Sequence, residues 1–141
     1  MDAKDRSLIA LLRANAREST ASLARKLGVA RSTVQERLTR LEKEGRIAGY
    51  TVRVANEVSD RQIAAQVLMK VNPKKMEKVM RELKAIPYVR GVYALSGGFD
   101  YLATIEGDST RRIDGVLDAI GAIEGIESTQ TSVVLSVKFE R

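Results

Sequence analysis

The chain has 141 residues, 24 Lys+Arg against 18 Asp+Glu for a net charge of +6, 44% apolar residues and six aromatics. That length predicts one domain or two small ones with a real core. It contains no Cys and no His, which excludes disulfides and thiolate metal sites and removes the commonest neutral-pH general base and metal ligand.

The opening "MDAKDRSLIALLRANA" is charged from its second residue, and its longest apolar run is "LIALL". It reads neither as a signal peptide nor as a membrane span, so a soluble, cytoplasmic protein without a membrane partner is expected. A first helix is predicted over residues 4–15. Asp2 is its cap, Asp5 adds charge to its first turn, and Leu8, Leu11 and Leu12 form the buried stripe. A second follows Ser19 as N-cap and runs to residue 27, with Leu23, Ala24 and Leu27 inward. A third covers residues 31–44, with Val34, Leu38 and Leu41 inward, and Gly45 ends it. "RIAGYTVRV" reads as extended.

Residues 55–62, "ANEVSDRQ", carry no periodicity and read as a linker between domains at 1–54 and 63–141. Beyond it the period becomes two: Ile63, Ala65, Val67, Met69 and Val71 alternate with Ala64, Gln66, Leu68 and Lys70 in a strand. Pro73 opens a helix with the stripe Met76, Val79, Met80 and Leu83, and Pro87 stops it. "VRGVYALS" and "YLATIE" are strands joined through "GGFD". Residues 109–123 form a helix with Ile113, Val116, Leu117 and Ile120 inward, and "TQTSVVLSVKF" closes the chain as a long strand. The order β-α-β-β-α-β predicts an α+β chain whose C-terminal part is ferredoxin-like.

Residues 1–55 hold 12 Lys+Arg and 6 Asp+Glu, whereas residues 56–141 hold 12 of each, so the whole excess lies in front. Such asymmetry suggests a polyanion-facing module joined to a neutral one. Ala24, Gly28 and Val34 meet the spacing of a helix-turn-helix, which an ordinary αα-corner also satisfies. The outward face of the third helix distinguishes the two. Ser32, Glu36, Thr39, Arg40 and Lys43 point away from the apolar stripe, flanked by Arg31, Thr33, Gln35 and Arg37. Arg and Gln read guanine and adenine edges bidentately, and Ser and Thr near a helix start suit phosphate oxygens. Arg31, Ser32, Thr33, Gln35, Glu36, Arg37, Arg40 and Lys43 are therefore expected to face double-stranded DNA.

"NAR", "SLARKLGVARSTVQERLTRLEKEG", "RIAGYT", "LSGGFDYL" and the closing "TSVVL" together resemble the Lrp/AsnC family of bacterial and archaeal transcription regulators. The resemblance implies a winged-type helix-turn-helix joined to a ferredoxin-like sensor domain that pairs into dimers and often assembles into octamers. It also implies an amino-acid effector bound at interfaces between sensor domains. By matched position, Leu95, Ser96, Gly97, Gly98 and Asp100 would line that site, with Thr131, Ser132 and Val133 facing them from the last strand. From sequence alone the glycines read first as those of a hairpin connection, and it is the resemblance that makes them a binding loop. Ala30 departs from the family, which commonly has Ser before the third helix, and Gly98 leaves the effector open. No cofactor is expected.

The implied function is sequence-specific, effector-modulated transcription regulation in the cytoplasm, at the nucleoid. Two alternatives stand beside it: an architectural DNA-binding protein without an effector, and an enzyme like the siroheme decarboxylases of similar layout. The second is disfavoured because that chemistry calls for His or similar basic groups near the macrocycle, and the chain has no His.

Overall fold

The structure, a computed structural model, describes residues 1–54 and 62–141. The linker expected at 55–62 lies, except for Gln62, outside the described residues. The chain divides into two compact units, Met1–Arg53 and Val54–Arg141. No helix among the described residues is long and apolar enough to cross a membrane.

The first unit is three helices, α1 (Ala3–Ala14), α2 (Thr20–Leu27) and α3 (Arg31–Lys43). Each start follows local chemistry. Asp2 caps α1 in a reciprocal capping box with Asp5, and the Ser19 side chain accepts from the Ser22 N–H at the start of α2. Ala30 precedes α3 without any side-chain cap. Gly28 ends α2 at φ +65° and Gly45 follows α3 at φ +68°, both in the left-handed region that glycine enters cheaply. Leu8, Leu23, Ala24, Val34 and Leu41 form the core, with Leu11, Leu12, Leu27 and Leu38 partly buried around it.

Residues 46–54 form neither helix nor strand, although their pattern predicts extended structure. A strand needs a partner edge, and the described residues of this unit contain no other strand. The segment is docked instead by Ile47, which packs on the core, and by the Tyr50 hydroxyl, which donates to Glu42 at 2.8 Å.

The second unit is β1 (Ile63–Val71), α4 (Met76–Lys84), β2 (Val89–Ala94), β3 (Tyr101–Gly107), α5 (Thr110–Gly121) and β4 (Ile126–Val133). The sheet is antiparallel in the order β2-β3-β1-β4, so the predicted ferredoxin-like layout is what the chain adopts. One face, with Ala65, Val67, Met69, Ala103 and Ile105, packs against Val79 and Leu83 of α4 and Ile113, Val116 and Ile120 of α5.

Three expectations shift. Pro73 opens a 3-10 turn, Pro73–Lys75, so α4 starts three residues later and Met76 lies exposed beside Tyr101. Asn72 favours the turn, because its side chain accepts from the Lys74 N–H at 3.0 Å. The last strand begins at Ile126 and ends at Val133, not over 129–139. Its neighbour β1 begins at Ile63; after Val134 donates to the Ala64 carbonyl at 2.8 Å, the described part of β1 offers little more to pair with.

Candidate nucleic-acid interface and sensor loop

Helix α3 presents Arg31, Ser32, Gln35, Glu36, Thr39, Arg40 and Lys43 to solvent, with Thr33 half-buried. Ser32, Gln35, Glu36, Thr39, Arg40 and Lys43 line one shallow concavity on that face. The set combines bidentate readers, short hydroxyls and two cations on a surface about one helix wide, which is what a major groove admits. The missing cap leaves the Arg31, Ser32 and Thr33 amides at the start of α3 without a side-chain acceptor.

Arg37 departs from the sequence expectation. Its Nη1 donates to both Asp2 oxygens at 2.9 and 2.8 Å and to Asp5 Oδ1 at 2.7 Å. Only 19% of its side chain is exposed, and its Nε is buried without a partner. Arg37 is a brace between α3 and α1, so the base-facing role expected for it is corrected. Arg40, one turn on, donates from Nη2 to both Asp5 oxygens at 2.8 Å, yet 49% of its side chain stays exposed.

Asp5 is 2% exposed, the only buried charged or polar residue among those described. Burial pushes its carboxyl upward, but the hydrogen bonds from Arg37 and the Asp2 N–H outweigh burial and leave it below the usual carboxylate range. The Arg37 hydrogen bond, helped by the Asp5 N–H, holds Asp2 at about 2, and both carboxylates raise Arg37 in turn. Sequence reasoning missed this clamp. It saw one cap and one first-turn charge on α1, and no local pattern links positions 2 and 5 to positions 37 and 40.

In the sensor unit, Leu95, Ser96, Gly97, Gly98 and Asp100 lie exposed on the connection from β2 to β3. Leu95 N–H donates to the Asp100 carbonyl at 2.9 Å and closes the loop. Asp100 then ties it to β1: its N–H donates to the Met69 carbonyl, and its Oδ2 accepts from the Val71 N–H, both at 2.9 Å. Part of a carboxylate expected to line the effector site is thus already engaged. Gly97 sits at φ +127°, which requires glycine, whereas a Cβ on Gly98 would meet open space. Gly98 is an open position, free of backbone constraint.

Thr131, Ser132 and Val133 are exposed on β4, where they pair with Val67, Gln66 and Ala65 of β1. The loop lies beyond the opposite end of β1, on the far side of that strand. Within one chain the two halves of the expected effector site are therefore separated by two strand spacings, about 10 Å, and by several residues along β1. The structure does not bring them together in a single copy.

Comparison with known proteins agrees with this architecture. Residues 1–42 match the AsnC-type helix-turn-helix domain and residues 64–141 the Lrp/AsnC ligand binding domain. The chain belongs to the Lrp/AsnC family. It is 31% identical over 140 residues to the HTH-type transcriptional regulator FL11 of Pyrococcus furiosus, covering 99% of this chain and 93% of that protein. To the HTH-type transcriptional regulator LysM of Sulfurisphaera tokodaii it is 30% identical, covering 99% and 98%. Among solved structures, Mycobacterium tuberculosis LrpA superposes with a TM-score of 0.85 at 26% identity, covering 99% of this chain and 96% of that one. The complex of a Neisseria meningitidis transcriptional regulator with L-Met has the same fold, with a TM-score of 0.85 at 22% identity and coverage of 99% and 93%. The Lrp/AsnC chain described here is thus a transcriptional regulator with a DNA-binding helix-turn-helix and a ferredoxin-like sensor domain.

Proposed function

We propose that this regulator binds specific duplex sites through the outer face of α3 and that an amino acid modulates the binding. The observation that carries the reading is the exposed set Arg31, Ser32, Gln35, Glu36, Arg40 and Lys43 on one helix face, with Thr33 at its edge, in the unit that holds the chain's whole charge excess. Phosphate contacts from its Lys and Arg supply most of the affinity and a steep salt dependence. Base contacts from Gln35 and Arg40 supply the sequence preference.

The sheet supports pairing of copies. Its helices cover one face only, and the other carries Leu68, Leu102 and Tyr93 across three neighbouring strands, with Tyr93 exposed. Two copies joined there hold two heads at a fixed separation. This predicts a pseudo-palindromic site with half-sites one helical turn, or a multiple, apart. The loop at 95–100 of one copy meets Thr131, Ser132 and Val133 of another when dimers associate further, up to octamers. The effector acts by its differential affinity for two assemblies. The L-Met bound by the Neisseria protein supports an amino acid as the ligand class. The regulator works in the cytoplasm, and its chemistry is binding, not catalysis.

Selection of bound fragments from genomic DNA, with and without a mixture of the twenty amino acids, tests this reading. Recovery of symmetric sites whose yield changes with the mixture is expected. If no fragment is retained at low salt, the DNA-binding reading fails. If fragments are retained but never respond to amino acids, the effector half fails and an architectural role takes its place.

A further inference from the structure

We propose that Asp5 is a positioning residue for base reading, gripping Arg40 by one nitrogen so that the rest of its guanidinium stands ready on the DNA-facing surface of α3. The inference rests on the DNA-binding reading and adds the origin of its specificity.

Both Asp5 oxygens lie 2.8 Å from the same Arg40 nitrogen, Nη2. The two oxygens of a carboxylate sit too close together to take both hydrogens of one amino group, which diverge, so they share one. Four of the five N–H donors of the guanidinium remain. Whichever Nη2 hydrogen Asp5 takes, the other still forms a two-pronged edge, with Nη1 or with Nε. That edge fits the N7 and O6 atoms of guanine. Arg40 lines the same concavity as Ser32, Gln35, Glu36, Thr39 and Lys43 and keeps 49% of its side chain exposed, which leaves the free edge open to the surface that would enter the groove.

Asp5 can hold a guanidinium still because Asp5 is itself held. Its Oδ2 accepts from the Asp2 N–H at 3.1 Å and its Oδ1 from Arg37 at 2.7 Å, and the residue is buried. A free surface arginine must give up its rotamer freedom when it meets a base. Arg40 has given much of it up on folding, so less is lost on binding. The paired carboxylate also offsets its charge, which lowers its value against phosphate at any sequence. Asp5 thus trades general attraction for discrimination.

The test compares a duplex carrying a site recovered by selection with a scrambled duplex of the same composition. Wild type, Asp5→Asn and Arg40→Lys are titrated against both, with thermal melts alongside. Asp5→Asn removes the charge and one of the two oxygens that hold Arg40, and Arg40→Lys keeps a cation opposite Asp5 but has no second prong. Each is expected to reduce the ratio of specific to scrambled affinity by roughly tenfold or more. Equal weakening on both duplexes, with the ratio unchanged, would mean that Asp5 is only structural and would overturn the proposal. If Asp5→Asn does not fold, Arg40→Lys decides alone, and an unchanged ratio there defeats it. A wild-type chain that binds neither duplex sinks the DNA-binding reading itself, a distinguishable result.

Discussion

The three-helix unit buries five apolar side chains and one carboxylate residue, whereas the sheet unit buries twelve apolar side chains and, among the described residues, no whole charged residue, only the Oε2 atom of Glu82. The sheet unit is stabilised mainly by area removed from water, which is tolerant of detail. With its small core, the helical unit also depends on caps and on the chain Asp2–Arg37–Asp5–Arg40, whose partners are closely specified in distance. The lesson is one of division of labour. The head that must present side chains to a rigid lattice of bases is held by directional bonds. The sheet unit is held by bulk. Small units are marginal in any case, so the head is expected to open first.

The largest break in this contrast comes from Leu41→Ala. Leu41 is fully buried, and its carbonyl accepts from both Arg46 and Ile47. Truncation to Ala costs about 2–5 kcal/mol, against a total of roughly 3–8 kcal/mol for a unit of this size. Native-state hydrogen exchange should show protection collapsing in α1, α2 and α3 while β1, β3 and β4 keep theirs, together with lost DNA binding. Parallel loss in both units would mean that they unfold as one, and the comparison would fail.

Acid is the second lever. A carboxylate whose folded-state pKa is depressed contributes stability that is full above its unfolded value and is lost as pH falls through the folded one. Asp5, which is buried, is lowered from 3.8; Asp2 goes from 3.8 to about 2, but its side chain is 54% exposed, so solvent screening discounts its share. The clamp therefore holds in full above about pH 4 and weakens as pH falls below that, chiefly through Asp5. In the sheet unit Lys75 and Lys78 hold Glu124 at about 2, but that carboxylate is well exposed, and screened surface pairs are worth little. Exchange followed from pH 5 downward should find α1 and α3 losing protection before the sheet. The reverse order would place the acid-sensitive contacts elsewhere.

What could be read from the sequence follows the same division. The helix starts at Asp2 and Ser19, the stops at Gly28 and Gly45, and the alternation of β1 are local signals, and the structure reproduces them. The α3 surface was legible because a helix with one apolar stripe has only one opposite face. Arg37 was misread for the same reason. Periodicity places it at the flank of that face, and only folding brings it to carboxylates more than thirty residues away. Asp100 was carried over to the effector site by the resemblance, and nothing nearby in sequence announces its added bond to Val71, 29 positions distant. The end of β4 was overextended because its alternating pattern persists past Val133, whose partner Ala65 lies near the first described residues of β1. Local rules set elements; which side chain is spent on holding the fold is a long-range matter.

Ala30→Ser gives the smallest effect and sharpens the contrast by repair. Ala30 already has the extended backbone of a cap, at φ −70° and ψ 155°, so a serine there needs no rearrangement to accept from an amide at the start of α3. A gain of about 1 kcal/mol is expected. Exchange through opening of the helical unit should slow about fivefold, with no change in the sheet amides. The hydroxyl would also compete for the amides otherwise free to meet a phosphate, so the gain in stability should come without a gain in DNA affinity. If both rise together, the start of α3 is limited by fraying, and its unsatisfied amides play no part in binding.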